Sequence, residues 1–150
     1  IGEMYNYLNI GIGYTLPFAT FAEEWVDADR LKEVLDSYEV PGVAWRTVHY
    51  KPTSGRLSGK LIHGVQYYYT DYEAATITLT QFYVMQAVWE LYGKNPFVLS
   101  AERIPMFNKV CGTDFVSNTF GQSLKVSDIA DFWCADAETF KRLSAKYYLY

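Results

Sequence analysis

Apolar residues recur at three- and four-residue steps in some stretches of this chain and alternate in others, and that contrast lays out its elements. From Asp27 to Tyr38, Leu31, Val34, Leu35 and Tyr38 fall on one helical face. Asp27 is placed to cap the first turn, early acids suit the helix dipole, and Pro41-Gly42 stops the run. From Thr76 to Tyr92 the same period returns in Thr78, Phe82, Met85, Trp89 and Tyr92, with Leu79, Gln86 and Val88 beside them; Gly93 closes this longest helix. Its Met and aromatic stripe is core, the surface that packs on a sheet. Beyond Pro105 the pattern breaks into short helices: Pro105 to Cys111, Asp114 to Phe120, Ser127 to Trp133 and Ala137 to Tyr147. Thr113 and Ser127, each followed by an acid, read as N-caps. In the last helix Phe140, Leu143 and Tyr147 make the expected buried face, while Lys141, Arg142 and Lys146 favour its C-terminal end.

Alternation marks two strands. Val43 to Tyr50 puts Val43, Trp45 and Thr47 on one side and Arg46, Val48 and Tyr50 on the other. Lys60 to Asp71 carries Leu61, Ile62, Val65 and three consecutive tyrosines, the bulk that suits a pleated surface. Gly64 interrupts that second strand, which marks a bulge or a place where something approaches the backbone, and His63 and Gln66 flank it with hydrogen-bonding groups. The rest of the chain is organised around this stretch. The order helix, two strands, long helix and helical tail predicts a single α+β domain over residues 1–150: a small sheet packed by a long helix, with a helical C-terminal tail. Ahead of it, Tyr5 to Phe18 is a glycine-punctuated loop. Its Gly11-x-Gly13 is not a dinucleotide fingerprint, because Pro17 follows where a third glycine and a helix should stand; it reads as a loop passing close to another surface.

Composition narrows the chemistry. At 150 residues the chain can bury a real core. Its 14 tyrosines favour half-buried surfaces and carbohydrate-facing clefts as well as core. A net charge of −4 without a Lys/Arg cluster argues against a nucleic-acid surface. No apolar run reaches the roughly 18 residues of a membrane span. Cys111 and Cys134 match no metal spacing; they pair if the fold brings them together and otherwise, the favoured reading, remain small buried apolar residues. Only His49 and His63 are present, with no zinc spacing and no Gly-x-Ser-x-Gly elbow, so neither a metal, a cofactor nor a nucleophile is expected. Lys51, Arg56 and Lys60 flank the loop between the strands, where an anionic or polyhydroxyl ligand could sit, although a solvated hairpin tip is the commoner outcome. Asp71, ending the central strand, is the one acid worth weighing as chemistry, against a turn-capping role. The chain opens Ile-Gly-Glu-Met, without an initiator methionine or signal pattern, and reads as a piece of a longer product.

One resemblance spans the whole chain. Ile10-Gly-Ile-Gly-Tyr-Thr-Leu-Pro-Phe18, Glu24-Trp-Val-Asp27, Pro41-Gly-Val43, Arg46-Thr-Val48, Pro52-Thr53, Gly64-Val-Gln66 and Thr70-Asp71 follow one another in order. Phe82-Tyr-Val-Met-Gln86, Met106 to Asp114, Ile129, Trp133, Asp136, Phe140 and the closing Tyr-Tyr-Leu-Tyr150 continue it. No single piece is specific, but the colinear set resembles the C-terminal domain of NamZ-type exo-β-N-acetylmuramidases. The resemblance implies a Rossmann-like N-terminal domain in the same parent chain, carrying the catalytic glutamate, with the sugar site in the cleft between the two. It implies release of terminal N-acetylmuramic acid from peptidoglycan fragments, in the periplasm or outside the cell, and an isolated domain that does not turn over alone. Many members read Gly-Gly-Val-Gln-Ile-His where this chain has His63 and Tyr68, and carry an arginine in the loop that here is Gly13-Tyr-Thr15. Arg46, Lys51 or His63 are then left to meet the lactyl carboxylate of muramic acid. The substrate-binding set expected from these residues is Tyr14, Thr15, Arg46, His63, Gly64, Gln66 and Tyr68, acting by binding and positioning, with no proton-transfer group among them. The other reading is a non-catalytic carbohydrate or cell-envelope binding or interaction module built on the same tyrosine-rich wall.

Overall fold

The computed structural model describes residues 7–149; Tyr5, expected to open the glycine-punctuated segment, and the closing Tyr150 lie outside them. Strands β1 (Thr20–Glu23), β2 (Val43–Tyr50) and β3 (Ile62–Tyr69) form an antiparallel sheet in the order β1-β3-β2. Helix α1 (Ala28–Ser37) links β1 to β2. After β3, a 3-10 turn at Ile77–Leu79 leads into α2 (Thr80–Tyr92). Short helices complete the chain: α3 (Pro96–Leu99), α4 (Ile104–Cys111), α5 (Phe115–Ser123), α6 (Ala130–Cys134) and α7 (Ala137–Ser144). This is the expected α+β arrangement.

Local chemistry sets the element ends. The Asp27 carboxylate accepts the N–H groups of Asp29 and Arg30, both at 3.1 Å, and so satisfies two donors that a helix start leaves orphaned. Gly93 takes the left-handed conformation that ends α2, at φ 62°, and donates its N–H to the Trp89 carbonyl. Asn95 begins α3 by accepting the Phe97 N–H at 2.8 Å. The core then assembles from both layers. Phe21, Trp45 and Val65 from the sheet meet Leu31 and Leu35 of α1 and Phe82 and Met85 of α2. The tail joins the same core through Phe107, Val116, Phe120 and Ile129. Phe82 stands edge-on to both Phe120 and Trp133, with ring centroids 5.0 and 5.2 Å away. Each such side chain removed from water contributes about 2 kcal/mol.

Several expectations need correction. The sheet has a third strand: β1 is only four residues long and buried throughout, so it carries no alternation to read. Gly64 marks no bulge, because the register runs unbroken from Thr20↔Gln66 to Glu23↔His63 and from Val43↔Tyr69 to Tyr50↔Ile62. Trp89, expected in the core stripe of α2, is 41 % exposed, while Val84 and Ala87 are fully buried. The middle of α2 is enclosed on several sides, so a single stripe does not describe it. Phe140, Leu143 and Tyr147, expected to be the buried face of the last helix, are 69, 62 and 73 % exposed, since no described element covers them. The N-cap of α5 is Asp114 rather than Thr113, although the Thr113 hydroxyl accepts the Phe115 N–H at 3.1 Å, and Ser127 lies within a 3-10 turn with its hydroxyl going to Asp128.

Candidate functional site

Directly paired residues on neighbouring strands project to the same side of a sheet, so the register sorts the side chains. Phe21, Val65 and Thr47 share one face with Trp45 and Tyr67, and with the row Glu23, His63 and His49. This is the face that α1 and α2 cover. The other face carries Thr20, Gln66 and Arg46 in one row and Ala22, Gly64 and Val48 in the next, with Ile62 and Tyr50 at one end and Tyr68 and Ala44 at the other. A small second core closes one end of it: Ala22, Val48, Tyr50 and Ile62 pack with Leu57 from the following loop. The opposite end, with Arg46, Gln66 and Tyr68, stays open to solvent.

The glycine-punctuated loop is fastened to this outer face. Tyr14 stacks on Tyr50, centroids 4.0 Å apart and rings 15° from parallel. The Tyr50 hydroxyl donates to Asn9 Oδ1 at 2.9 Å, which leaves Thr20 Oγ1 to donate to Tyr50 across 3.0 Å. Asn9 Oδ1 also accepts the Gly11 N–H at 2.7 Å. Burial first, together with neighbouring charge, pushes the Tyr50 hydroxyl pKa up, so it stays a donor. The surface that the loop passes closely belongs to this same domain: a Cβ on Gly13 would stand 2.7 Å from the Ser54 carbonyl oxygen, and Thr53 donates its N–H to the Gly13 carbonyl at 2.8 Å. Half-buried Tyr14 is thereby held at the sheet's outer side, and Thr15, next to it in the chain, is exposed.

Arg46 and Gln66 are cross-strand partners, and Arg46 Nε donates to Gln66 Oε1 at 2.6 Å. That bond engages the Gln66 carbonyl oxygen and ties the exposed Arg46 side chain to β3, so the Gln66 NH2 and the other guanidinium nitrogens are not used in it. No carboxylate pairs with Arg46 among the described residues. The other basic groups near the loop differ. Arg56 is spent on Glu23, the one buried charged side chain among the described residues, and Lys60 pairs with Glu24 at 2.7 Å. Lys51 is exposed.

The sheet therefore brings Arg46, Gln66 and Tyr68 together, has Tyr14 on the same side with Thr15 next to it in the chain, and separates His63. His63 lies on the helix-covered face, where its Nδ1 is 2.7 Å from Nδ1 of His49, a hydrogen bond in which the tautomers set which ring donates. Gly64 is buried, and the backbone that approaches it is β1, since a Cβ there would meet the Phe21 carbonyl oxygen at 2.0 Å. Asp71 caps a turn, accepting the N–H groups of Glu73 and Ala74. Cys111 and Cys134 are free and half-buried. No group of three or more metal-ligating side chains occurs among the described residues. Tyr67 and Tyr69 alternate with Gln66 and Tyr68, a period the sequence carries, and so project into a separate cleft of about 230 Å³ with Phe18, Phe21 and Ile77.

Comparison with known proteins bears on this geometry. The family described as "Exo-beta-N-acetylmuramidase NamZ, C-terminal" matches residues 1–150. The Peptidoglycan beta-N-acetylmuramidase NamZ of Bacillus subtilis is 28 % identical over 140 residues, covering 93 % of this chain and 33 % of that protein. A crystal structure of a DUF1343 family protein from Bacteroides fragilis superposes with a TM-score of 0.87 at 38 % identity, over 99 % of this chain and 39 % of that one. The chain thus spans about a third of the length of the curated relative.

Proposed function

The chain belongs to the family of NamZ C-terminal domains, and from that premise we propose that its parent protein releases terminal N-acetylmuramic acid from peptidoglycan fragments, with this domain as one wall of the sugar cleft. Tyr14, Thr15, Arg46, Gln66 and Tyr68 line that wall. Gly64 supports it from behind by letting β1 close on β3, and His63 stands apart on the other face. The observation that carries the reading is Arg46: a cation fixed by Gln66 on an open sheet face with no acidic partner among the described residues. The lactyl carboxylate of muramic acid is the complementary group, and guanidinium to carboxylate is the strong, directional form of hydrogen bond. The NH2 of Gln66 and the Tyr68 ring add a donor and an apolar face for the pyranose.

Proton transfer comes from elsewhere in the parent. Glycoside hydrolysis needs positioned carboxyl groups about the scissile bond. Here the buried acid, Glu23, is held by Arg56, and Asp71 is engaged as a turn cap. The N-terminal domain of the parent supplies the catalytic acid and docks on this one. An apolar surface suited to docking is present: Phe132, Phe140, Leu143, Tyr147, Tyr148 and Leu149 are all exposed along α6, α7 and the residues beyond. Such a parent works on the cell wall, in the periplasm or outside the cell.

The test is release of N-acetylmuramic acid from a muramyl-glucosamine disaccharide by the full-length parent. Arg46→Ala should raise KM by about tenfold or more, the worth of one hydrogen bond to a charged group, with kcat less affected. Arg46→Lys should restore only part, because Lys lacks the planar fork. A parent that releases no muramic acid overturns the activity. Wild-type KM in Arg46→Ala overturns the role of the wall. Saccharide binding without turnover moves the assignment to a binding module.

A further inference from the structure

Away from the sheet, a second cleft of about 380 Å³ opens between the end of α1, one side of α2 and the turn Val126–Asp128 that precedes α6. That volume is within the range of small-ligand sites, roughly 300–1,000 Å³. Tyr38 and Tyr83 form aromatic walls, with ring centroids 5.9 Å apart and tilted by 41°. Tyr83, Gln86 and Glu90 follow one another at three- and four-residue steps, so a single face of α2 builds the polar floor. Gln86 Nε2 donates to Glu90 Oε1 at 2.9 Å, and Gln86 Oε1 accepts the Val126 N–H at 2.9 Å. The Tyr38 hydroxyl donates to Glu90 Oε2 at 2.7 Å. Burial, and then the Glu90 carboxylate beside it, push that hydroxyl pKa far up, so the phenol keeps its proton and the bond persists.

Two charges in this cleft are left over. Both oxygens of Glu90 take neutral donors, and no cation pairs with it among the described residues. Lys125 lines the same cleft, also without an ion-pair partner among the described residues. The two do not reach each other. Gln86 spans the gap, holding Glu90 with one end of its amide and the residue after Lys125 with the other. From this arrangement we infer that the cleft binds a small zwitterion carrying an α-ammonium and a carboxylate, either a free amino acid or a short peptide. Glu90 accepts the ammonium through lone pairs its present bonds leave open, and Lys125 donates to the carboxylate. The faces of Tyr38 and Tyr83 cover the side chain and add attraction for the cationic end. This assignment is independent of the muramic-acid reading, since it uses another surface and none of its residues.

Calorimetric titration of the full-length parent tests it with four probes: alanine, alanylalanine, N-acetyl-alanylalanine and alanylalanine amide. At least one of the two zwitterions should bind saturably, and each blocked dipeptide should bind about tenfold more weakly, as expected for loss of one charge-assisted contact. Alanine matching alanylalanine identifies a free amino acid as the ligand; alanylalanine alone identifies a peptide. Glu90→Gln should abolish discrimination against the N-acetyl form and keep that against the amide, and Lys125→Gln should do the reverse. Thermal unfolding confirms that each variant is folded, and exposed Lys125 keeps the test open should Glu90→Gln fail. The inference is overturned by no saturable binding up to about 10 mM, a range that still detects millimolar affinity. Equal binding of all four probes, or folded variants that discriminate as wild type does, overturns it equally.

Discussion

Replacing Gly64 by alanine separates two explanations of the glycine at the centre of the sheet. The added Cβ would stand 2.0 Å from the Phe21 carbonyl oxygen, 2.6 Å from the Ala22 Cα and 2.8 Å from the Phe21 carbonyl carbon. Carbon and oxygen rest near 3.3 Å even in attractive contacts, so β1 would have to retreat by about 1 Å or more. All three atoms are backbone, so no rotamer change relieves the clash. Overpacking of a core costs about 1–3 kcal/mol. The upper end applies here, because retreat of β1 also loosens the cover over Phe21 and Ala22, which are 6 and 0 % exposed. For a domain of this size about 3 kcal/mol corresponds to a fall in Tm of roughly 6–12 °C. Thermal and urea unfolding of the wild-type and Gly64→Ala chains measure it directly. A loss below about 0.5 kcal/mol, the scatter of neutral surface changes, would refute the close-approach argument. Retained stability with lost saccharide binding would instead show that the glycine admits ligand.

Other consequences are as direct. The hydroxyls of Tyr7, Tyr38, Tyr50, Tyr67 and Tyr92 all have raised pKa values, with burial as the first cause. Such groups hold protons in the folded chain that the unfolded chain releases above about pH 10, so their contribution is whole below that pH and is lost as pH rises beyond it. Urea unfolding should therefore show stability falling between pH 9.5 and 11 with a slope that corresponds to more than about one proton released on unfolding; a flat profile would contradict the burial of these phenols. Phe140→Ser with Leu143→Ser should leave the stability of the isolated 150-residue chain within about 0.5 kcal/mol, since both side chains are mostly exposed there. The same pair should lower the Tm of the full-length parent, and an unchanged parent would show that α7 does not meet the rest of that protein.

Much of the fold follows from spacing alone. The α1 pattern with its Asp27 cap, both long strands, the Gly93 stop and most of the tail are local properties: they depend on side-chain periodicity and on a few backbone-specific residues. Strand β1 is not predictable from spacing, because four buried residues show neither period, and only pairing with β3 makes them a strand. The site shows the same division. The residue types were readable, including an arginine and a glutamine on adjacent strands, but sequence separation says nothing about which face each joins. Pairing decided that: with a period of two, the register that puts Arg46 opposite Gln66 on the outer face also puts His49 opposite His63 on the inner one. Charge was decided in three dimensions as well. Arg56 and Lys60 are neutralised by Glu23 and Glu24, which lie more than thirty positions earlier in the chain, while Arg46 remains unpaired among the described residues. In α7 the sequence determined an amphipathic helix, but an apolar face is buried only where another surface lies against it, and no described element of this chain does so.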